Sequence, residues 1–496
     1  MFRRLVLFFA FTLTCQLLAQ SDNGLSAYKD ANFEAAIPLL ETAHAQSPKD
    51  PAVLAALLSS LTAEDRVDRA VEIDQEAAAF GNVPEVLVAR GEFAFHMGDM
   101  PGSEKLFKSA LQLQESNARA LFGLSRLFRA ASYYRTSRLD VLKAHEIDPN
   151  DALITQAFLR YVPAEKRAAL LQPFAAAHPW LYRRYQEQEE NVSAIKNAVA
   201  ERKLFAIDGP AQETTLKFAL LLRDPHHAQG VGLDLKIGDG RPVRMLFDTG
   251  ASGILLRQSA IDKAGLTHLG SAEAWGIGDA GTRKTFAAIA DTCEIAKLRF
   301  RNCLLRGMEG KRAVAGDVDG LIGADFFQDY VVSIDFLKKE LHLKPLPPRP
   351  SSPQGYDRSV PPDETGFTPV YRFGHSLMVS TIVNRKSTGL FLLDTGSEAN
   401  NIDATFARLS TKIHGSDMHV QGVSGRVKQV YEASKGELQF AHFRQDNIGL
   451  IAIDLNNGPE PPTVRMSGIL GLSVLQMFRL TIDYRNGLVN FDYVLK

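Results

Sequence analysis

The sequence predicts a multidomain chain, with an all-α helical repeat in the N-terminal region and an all-β region of two similar lobes in the C-terminal half. Three observations lead to that fold class. In the first region, small and acidic residues recur at a spacing of 34: Ala43 with Ala77, Ala110 with Ala144, and Asp65 with Asp99. After about Thr214 the composition turns to short β-rich runs broken by glycine turns. Within this β-rich region a pair of runs read almost alike, Met245-Leu-Phe-Asp-Thr-Gly-Ala-Ser252 and Phe391-Leu-Leu-Asp-Thr-Gly-Ser-Glu398, with their aspartates 146 residues apart.

The chain begins with Met1-Phe-Arg-Arg4, then an apolar run from Leu5 to Leu13, then Leu17-Leu-Ala19 before Gln20. A charged start, a short apolar stretch and a small-residue cut site predict a signal peptide over residues 1–19. The expectation is therefore an exported protein, periplasmic or secreted. An uncleaved anchor is the alternative. A lipoprotein attached through Cys15 is disfavoured, because Thr14 stands where Gly or Ala is wanted. No later segment is long and apolar enough to span a bilayer. The formal net charge of −1 over 496 residues leaves no electrostatic footprint for nucleic acid. Three cysteines exclude a disulfide-rich scaffold. Export would permit a bridge between Cys293 and Cys303, and two buried thiols are equally compatible with the sequence.

Residues 21–160 carry helix-forming residues with few interruptions, and prolines 48, 51, 84 and 149 fall near helix junctions. Small residues recur where paired helices must approach closely, as in Leu106-Phe-Lys-Ser-Ala110. A helix-turn-helix period of 34 resembles the tetratricopeptide repeat, with about four repeats in this region. A non-repeating helical bundle is the alternative. Residues 161–213 read as a helical linker. The β blocks occupy residues 214–345 and 364–496, joined across 346–363 by a proline-rich connector that disfavours helix and central strand.

Aligned on their aspartates, the two blocks repeat each other. Gly276 follows Asp248 by 28 residues and Gly422 follows Asp394 by the same number. Asp319-Gly-Leu-Ile-Gly323 ends 75 residues after the first aspartate, and Ser467-Gly-Ile-Leu-Gly471 ends 77 after the second. Val332-Ser-Ile-Asp-Phe336 and Leu480-Thr-Ile-Asp-Tyr484 each start a hairpin. The apolar runs before the aspartates suit buried strands. Gly250 and Gly396 permit a tight turn that leaves a carboxylate at the loop tip.

This pattern resembles the retropepsin-like aspartic peptidases, with both lobes in one chain. The resemblance covers somewhat over half the chain. It implies catalytic aspartates Asp248 and Asp394, with loop support from Thr249, Gly250 and Ala251 and from Thr395, Gly396 and Ser397. It also implies that the threonine hydroxyls hold the opposite loop. Leu321, Ile322 and Gly323, with Ile469, Leu470 and Gly471, would buttress the loops from behind. Flaps over the substrate would come from Trp275, Gly276, Ile277 and Gly278 and from Gly422 and Val423. Trp275 would either line a subsite or pack into the core. The family uses no metal and no cofactor.

Two carboxylates in one site cannot both ionise easily, so one pKa is expected to fall and the other to rise, and the pair to share a proton. The ionised member would take a proton from water while the protonated member donates to the scissile carbonyl. Ser397 differs from its counterpart Ala251, and its hydroxyl is expected to bond a carboxylate and favour ionisation. Together these readings predict an exported aspartic endopeptidase acting on a peptide or protein substrate, with repeats that offer a surface to a protein partner. The alternative is a non-catalytic peptide-binding scaffold. Pairing of each lobe with another chain is less simple than pairing within the chain.

Overall fold

The structure is a computed structural model that describes residues 22–183, 202–224, 227–309, 318–348 and 355–494, with a few single positions between them. The expected signal peptide lies outside the described residues. The chain forms two compact units, one helical and one β-rich.

In the helical unit, one set of helices begins at Pro51, Pro84, Ala118 and Ala152, and their partners begin at Phe33, Val67, Met100 and Tyr134. Every step between successive starts is 33 or 34 residues. The unit is therefore a tetratricopeptide-like repeat. Pro51 and Pro84 open their helices, where a missing N–H costs nothing. Asp50, Asp99 and Asp151 cap helix starts by accepting backbone N–H bonds. Ala36, Ala70, Ala77, Ala110 and Ala144 are buried at the helix contacts. Phe107 is fully buried between Gly91 and Gly123, where an added Cβ on either glycine would strike its ring. The pair Ala152–Leu159 and Ala164–Ala177 runs across residue 160.

The β unit holds two lobes built on the same plan. In the first, strand Gly320–Gly323 lies parallel to Val243–Asp248 and antiparallel to Ile254–Arg257. In the second, Gly468–Leu470 lies parallel to Ser387–Leu393 and antiparallel to Asn401–Asp403. Ala206–Ile207, in the stretch expected to be helical linker, is instead a short strand on Leu298–Met308. Two residues are too few to show a periodicity. Cys293 and Cys303 form a disulfide across the hairpin Arg283–Ile295 and Leu298–Met308, with Cα atoms 6.2 Å apart.

A six-stranded antiparallel sheet joins the lobes. Each contributes its last hairpin, Tyr330–Asp335 with Glu340–Pro345 and Phe478–Asp483 with Leu488–Tyr493. The inner strands pair across the pseudo-two-fold, Ser333 opposite Thr481, whose hydroxyls are 2.8 Å apart. Thr214–Lys217 and Thr368–Pro369 close the two outer edges.

The end of the inter-lobe connector is docked on the second lobe. The Arg358 guanidinium donates to the carbonyls of Asn486, Val370 and Gly487. Glu364 is buried beside Asp483 and hydrogen-bonded to it, and one Glu364 oxygen has no hydrogen-bond partner. Burial, then the Asp483 charge, raises the Glu364 pKa from 4.5 to about 7, while Asp363 adds to the rise and Lys344 opposes it. The folded state thus binds this proton more tightly than the unfolded chain. Stability contributed here is present at acid pH and is lost as pH rises from about 4.5 to about 7. Glu364→Gln keeps a donor to Asp483 without the titration. Its urea midpoint is expected to fall less than the wild-type midpoint between about pH 5 and 7.5, and equal falls would remove Glu364 as the cause.

Candidate active site

Asp248 is the last residue of its strand, and Asp394 immediately follows the strand Ser387–Leu393. The two loops meet through their threonines, both fully buried. The Thr249 hydroxyl donates to the Leu393 carbonyl (2.7 Å) and accepts the Thr395 N–H (3.0 Å). The Thr395 hydroxyl donates to the Phe247 carbonyl (2.9 Å) and accepts the Thr249 N–H (3.1 Å). Each hydroxyl therefore satisfies a carbonyl and an N–H of the opposite lobe. These bonds place the carboxyls of Asp248 and Asp394 side by side and hydrogen-bonded to each other.

The glycines are dictated by that approach. A Cβ on Gly250 would stand 2.7 Å from the Asp394 carboxyl carbon, and one on Gly396 would stand 2.5 Å from that of Asp248. Each glycine N–H donates to its own aspartate at 2.8 Å. Behind the loops, Gly323 pairs with Asp248, and the Asp394 N–H donates to the Leu470 carbonyl at 3.0 Å. Leu321 and Ile322 pair with Leu246 and Phe247, and Ile469 pairs with Leu392. A side chain on Gly323 would strike the Ala251 carbonyl, and one on Gly471 the Ala399 carbonyl.

Both aspartate pKa values are raised, which corrects the expectation that one falls. Burial acts first on each. The Asp394 charge and hydrogen bond drive Asp248 well above the usual carboxylate range. The rise at Asp394 is opposed by the bond from Asp248 and by the N–H groups of Gly396 and Ser397. The asymmetry therefore lies in the extent of the rise, which is greater at Asp248.

Ser397, expected to bond a carboxylate through its hydroxyl, donates that hydroxyl to the Ala399 carbonyl (3.0 Å). Its backbone N–H donates to Asp394 (3.2 Å), and any residue but proline would supply that group. Ser397→Ala is accordingly expected to leave the pH–rate profile in place, and a displaced profile would restore a role for the hydroxyl.

The two flap turns interlock. The Ser424 hydroxyl accepts the Gly276 N–H (3.1 Å), the Ser424 N–H donates to the Ile277 carbonyl (3.0 Å), and the Ser424 carbonyl accepts the Ala280 N–H (2.8 Å). Gly278 adopts φ +128° against the Ser424 backbone, where only glycine fits. A side chain on Gly422 would strike the Ile277 carbonyl. Val423 packs against the first-lobe cluster that contains Leu246 and Leu321, as does Ala251 of the first aspartate loop. Trp275 is 53% exposed, so it is not a core residue.

Several site residues carry no signal of their own in the sequence. Asp325 accepts the Gly253 N–H (2.8 Å) and the Ser252 hydroxyl (3.2 Å), bracing the chain just beyond the first loop. His375, in a turn of the second lobe, hydrogen-bonds the Gly250 backbone, and burial lowers its pKa. Tyr484 is fully buried with its hydroxyl unpartnered; burial and then the Asp325 charge raise its pKa, and Asp248 and Asp394 add to the rise. Among the described residues, no group of three or more His, Cys, Asp or Glu side chains converges as a metal site would require.

A family model described as aspartyl protease matches residues 233–326, the span that holds the first loop, its flap and its buttress. The β region has an aspartyl-protease architecture. No curated protein matches the chain. Solved structures align with the helical region. One is a thermophilic TPR protein of Thermus thermophilus, at 14% identity over 34% of this chain and 97% of that chain, with a TM-score of 0.27. Another is pilF of Pseudomonas aeruginosa, at 20% identity over 32% of this chain and 76% of that chain, with a TM-score of 0.23. The repeat assignment rests on the helix spacing and not on these likenesses.

Proposed function

We propose that the chain is an exported aspartic endopeptidase in which Asp248 and Asp394 activate one water between them. The observation that carries this reading is the reciprocal threonine bonding, which holds two carboxyls side by side, with the pKa of each raised above the ordinary aspartate range. A pure binding cleft has no need of that arrangement.

In the proposed step, the ionised member of the pair takes a proton from the water as the water oxygen bonds to the peptide carbonyl carbon. The protonated member gives its proton to the carbonyl oxygen, and a gem-diol forms. The proton gained from water then passes to the amide nitrogen, a diol hydroxyl returns a proton to the other aspartate, and the C–N bond breaks. The pair ends as it began, with one proton. Neither role is separable from the other, since the pair titrates as a unit. The charged apolar start of the sequence supports export, and the Cys293–Cys303 disulfide fits an oxidising compartment. No helix among the described residues is long and apolar enough to cross a membrane. The repeats would present a partner or the substrate itself.

Incubating the full chain with an unstructured peptide library from acid to neutral pH, and reading new termini by mass spectrometry, tests the proposal. Cleavage is expected, with loss of activity as pH rises past the upper titration of the pair. Folded protein that binds peptides and cuts none would favour the scaffold reading.

A further inference from the structure

The first flap turn is held by an element outside both flaps. Asn457 lies in the second-lobe loop that follows strand Ile451–Ile453. Its side-chain amide donates to the Gly278 carbonyl (3.2 Å) and to Asp279 Oδ1 (3.0 Å). Asp279 Oδ2 accepts the Lys428 N–H (2.7 Å), and the Asp279 N–H donates to the Arg426 carbonyl (3.3 Å). Asp279 therefore joins the first flap to Arg426 and Lys428, which follow the second flap turn, and to the Asn457 loop at once. The Trp275 ring lies over Gly458, where an added Cβ would be 3.6 Å from the indole.

The backbone of this turn does not fix its own position. Gly276, Gly278 and Gly281 interrupt it, and the last two sit at φ +128° and +75°. Glycines permit many conformations, so the contacts around the turn select the closed one. The Asn457 amide contributes two hydrogen bonds that come from neither flap.

We propose that Asn457, acting through Gly278 and Asp279, is a positioning residue that latches the first flap shut, so that a polypeptide reaches the aspartate pair only when this latch releases. The inference concerns the same site as the peptidase reading and rests on it for its meaning, while its test needs no cleavage.

Full-length Asn457→Ala and Asn457→Asp variants remove both donated bonds, and the second also sets a carboxylate against Asp279. Loss of two hydrogen bonds is expected to speed amide exchange in the segment 275–282 by about ten- to thirtyfold. The buttress strand Gly320–Gly323 and the thermal midpoint should stay unchanged. The chain has two tryptophans, so in a Trp180→Phe background acrylamide quenching reports on Trp275 and should rise in step. Unchanged flap exchange in both variants would overturn the latch. So would equal acceleration in the buttress strand, which would show general loosening. Either result would leave the peptidase reading standing, and a failed cleavage assay would leave the latch standing.

Discussion

Asp248→Asn and Asp394→Asn are each expected to reduce peptide hydrolysis by at least about 10⁴-fold, the scale seen when one member of a catalytic unit is removed. The double variant should be little worse than either single one, because the pair holds one proton jointly. The chain should still fold. Replacing either carboxyl with a neutral amide leaves one ionisable group at the site, matching the single charge of the proton-sharing pair, and leaves the threonine bonds intact. Peptide binding should survive in the variants, which separates lost chemistry from lost structure. Kinetics on a cleaved peptide, with calorimetry on the variants, check both halves, and wild-type rates in either single variant would end the shared-pair account.

Thr249→Val and Thr395→Val should damage stability as well as activity. Valine keeps the shape and removes the hydroxyl. In Thr249→Val, the Leu393 carbonyl and the Thr395 N–H lose their partners in a buried setting. An unsatisfied buried group costs about 1–3 kcal/mol, so with two such groups each variant should lose about 2–6 kcal/mol of unfolding free energy. That is a large share of the roughly 5–15 kcal/mol that stabilises an ordinary domain. Activity should fall too, because the same bonds set the separation of the carboxyls. Thr→Ser at either position restores the hydroxyl and should recover most of both. Denaturant titration of the four variants measures this, and valine variants as stable as wild type would show that the cross-lobe bonds do not hold the loops.

The site is legible in the sequence wherever its chemistry is local. An apolar run, an aspartate and a glycine on a sharp turn identify each loop, and the duplication pairs them. The glycines at 250, 323, 396 and 471 are visible because close backbone approach leaves no room for a side chain. The helical periodicity is legible for the same reason, since Ala77 and Ala110 recur where helices touch. Contacts between distant segments leave no such trace. The joining sheet pairs Ser333 with Thr481, and neither residue type advertises a partner 148 positions away. Asn457 and Asp279 are 178 apart, and each reads alone as a turn residue. The Ser397 hydroxyl bonds the Ala399 carbonyl two residues on, a choice of acceptor that the motif does not state. The two values of the aspartate pair depend on burial, which a motif does not state.

The shared proton can be counted directly. With ¹³C-carboxyl aspartate in the folded chain, subtracting the Asp248→Asn and Asp394→Asn spectra from wild type isolates the two carboxyls through a pH titration. Two well-separated steps are expected, with one proton retained far above the ordinary aspartate value of 3.8. Both carboxyls ionising together near 3.8 would contradict the account.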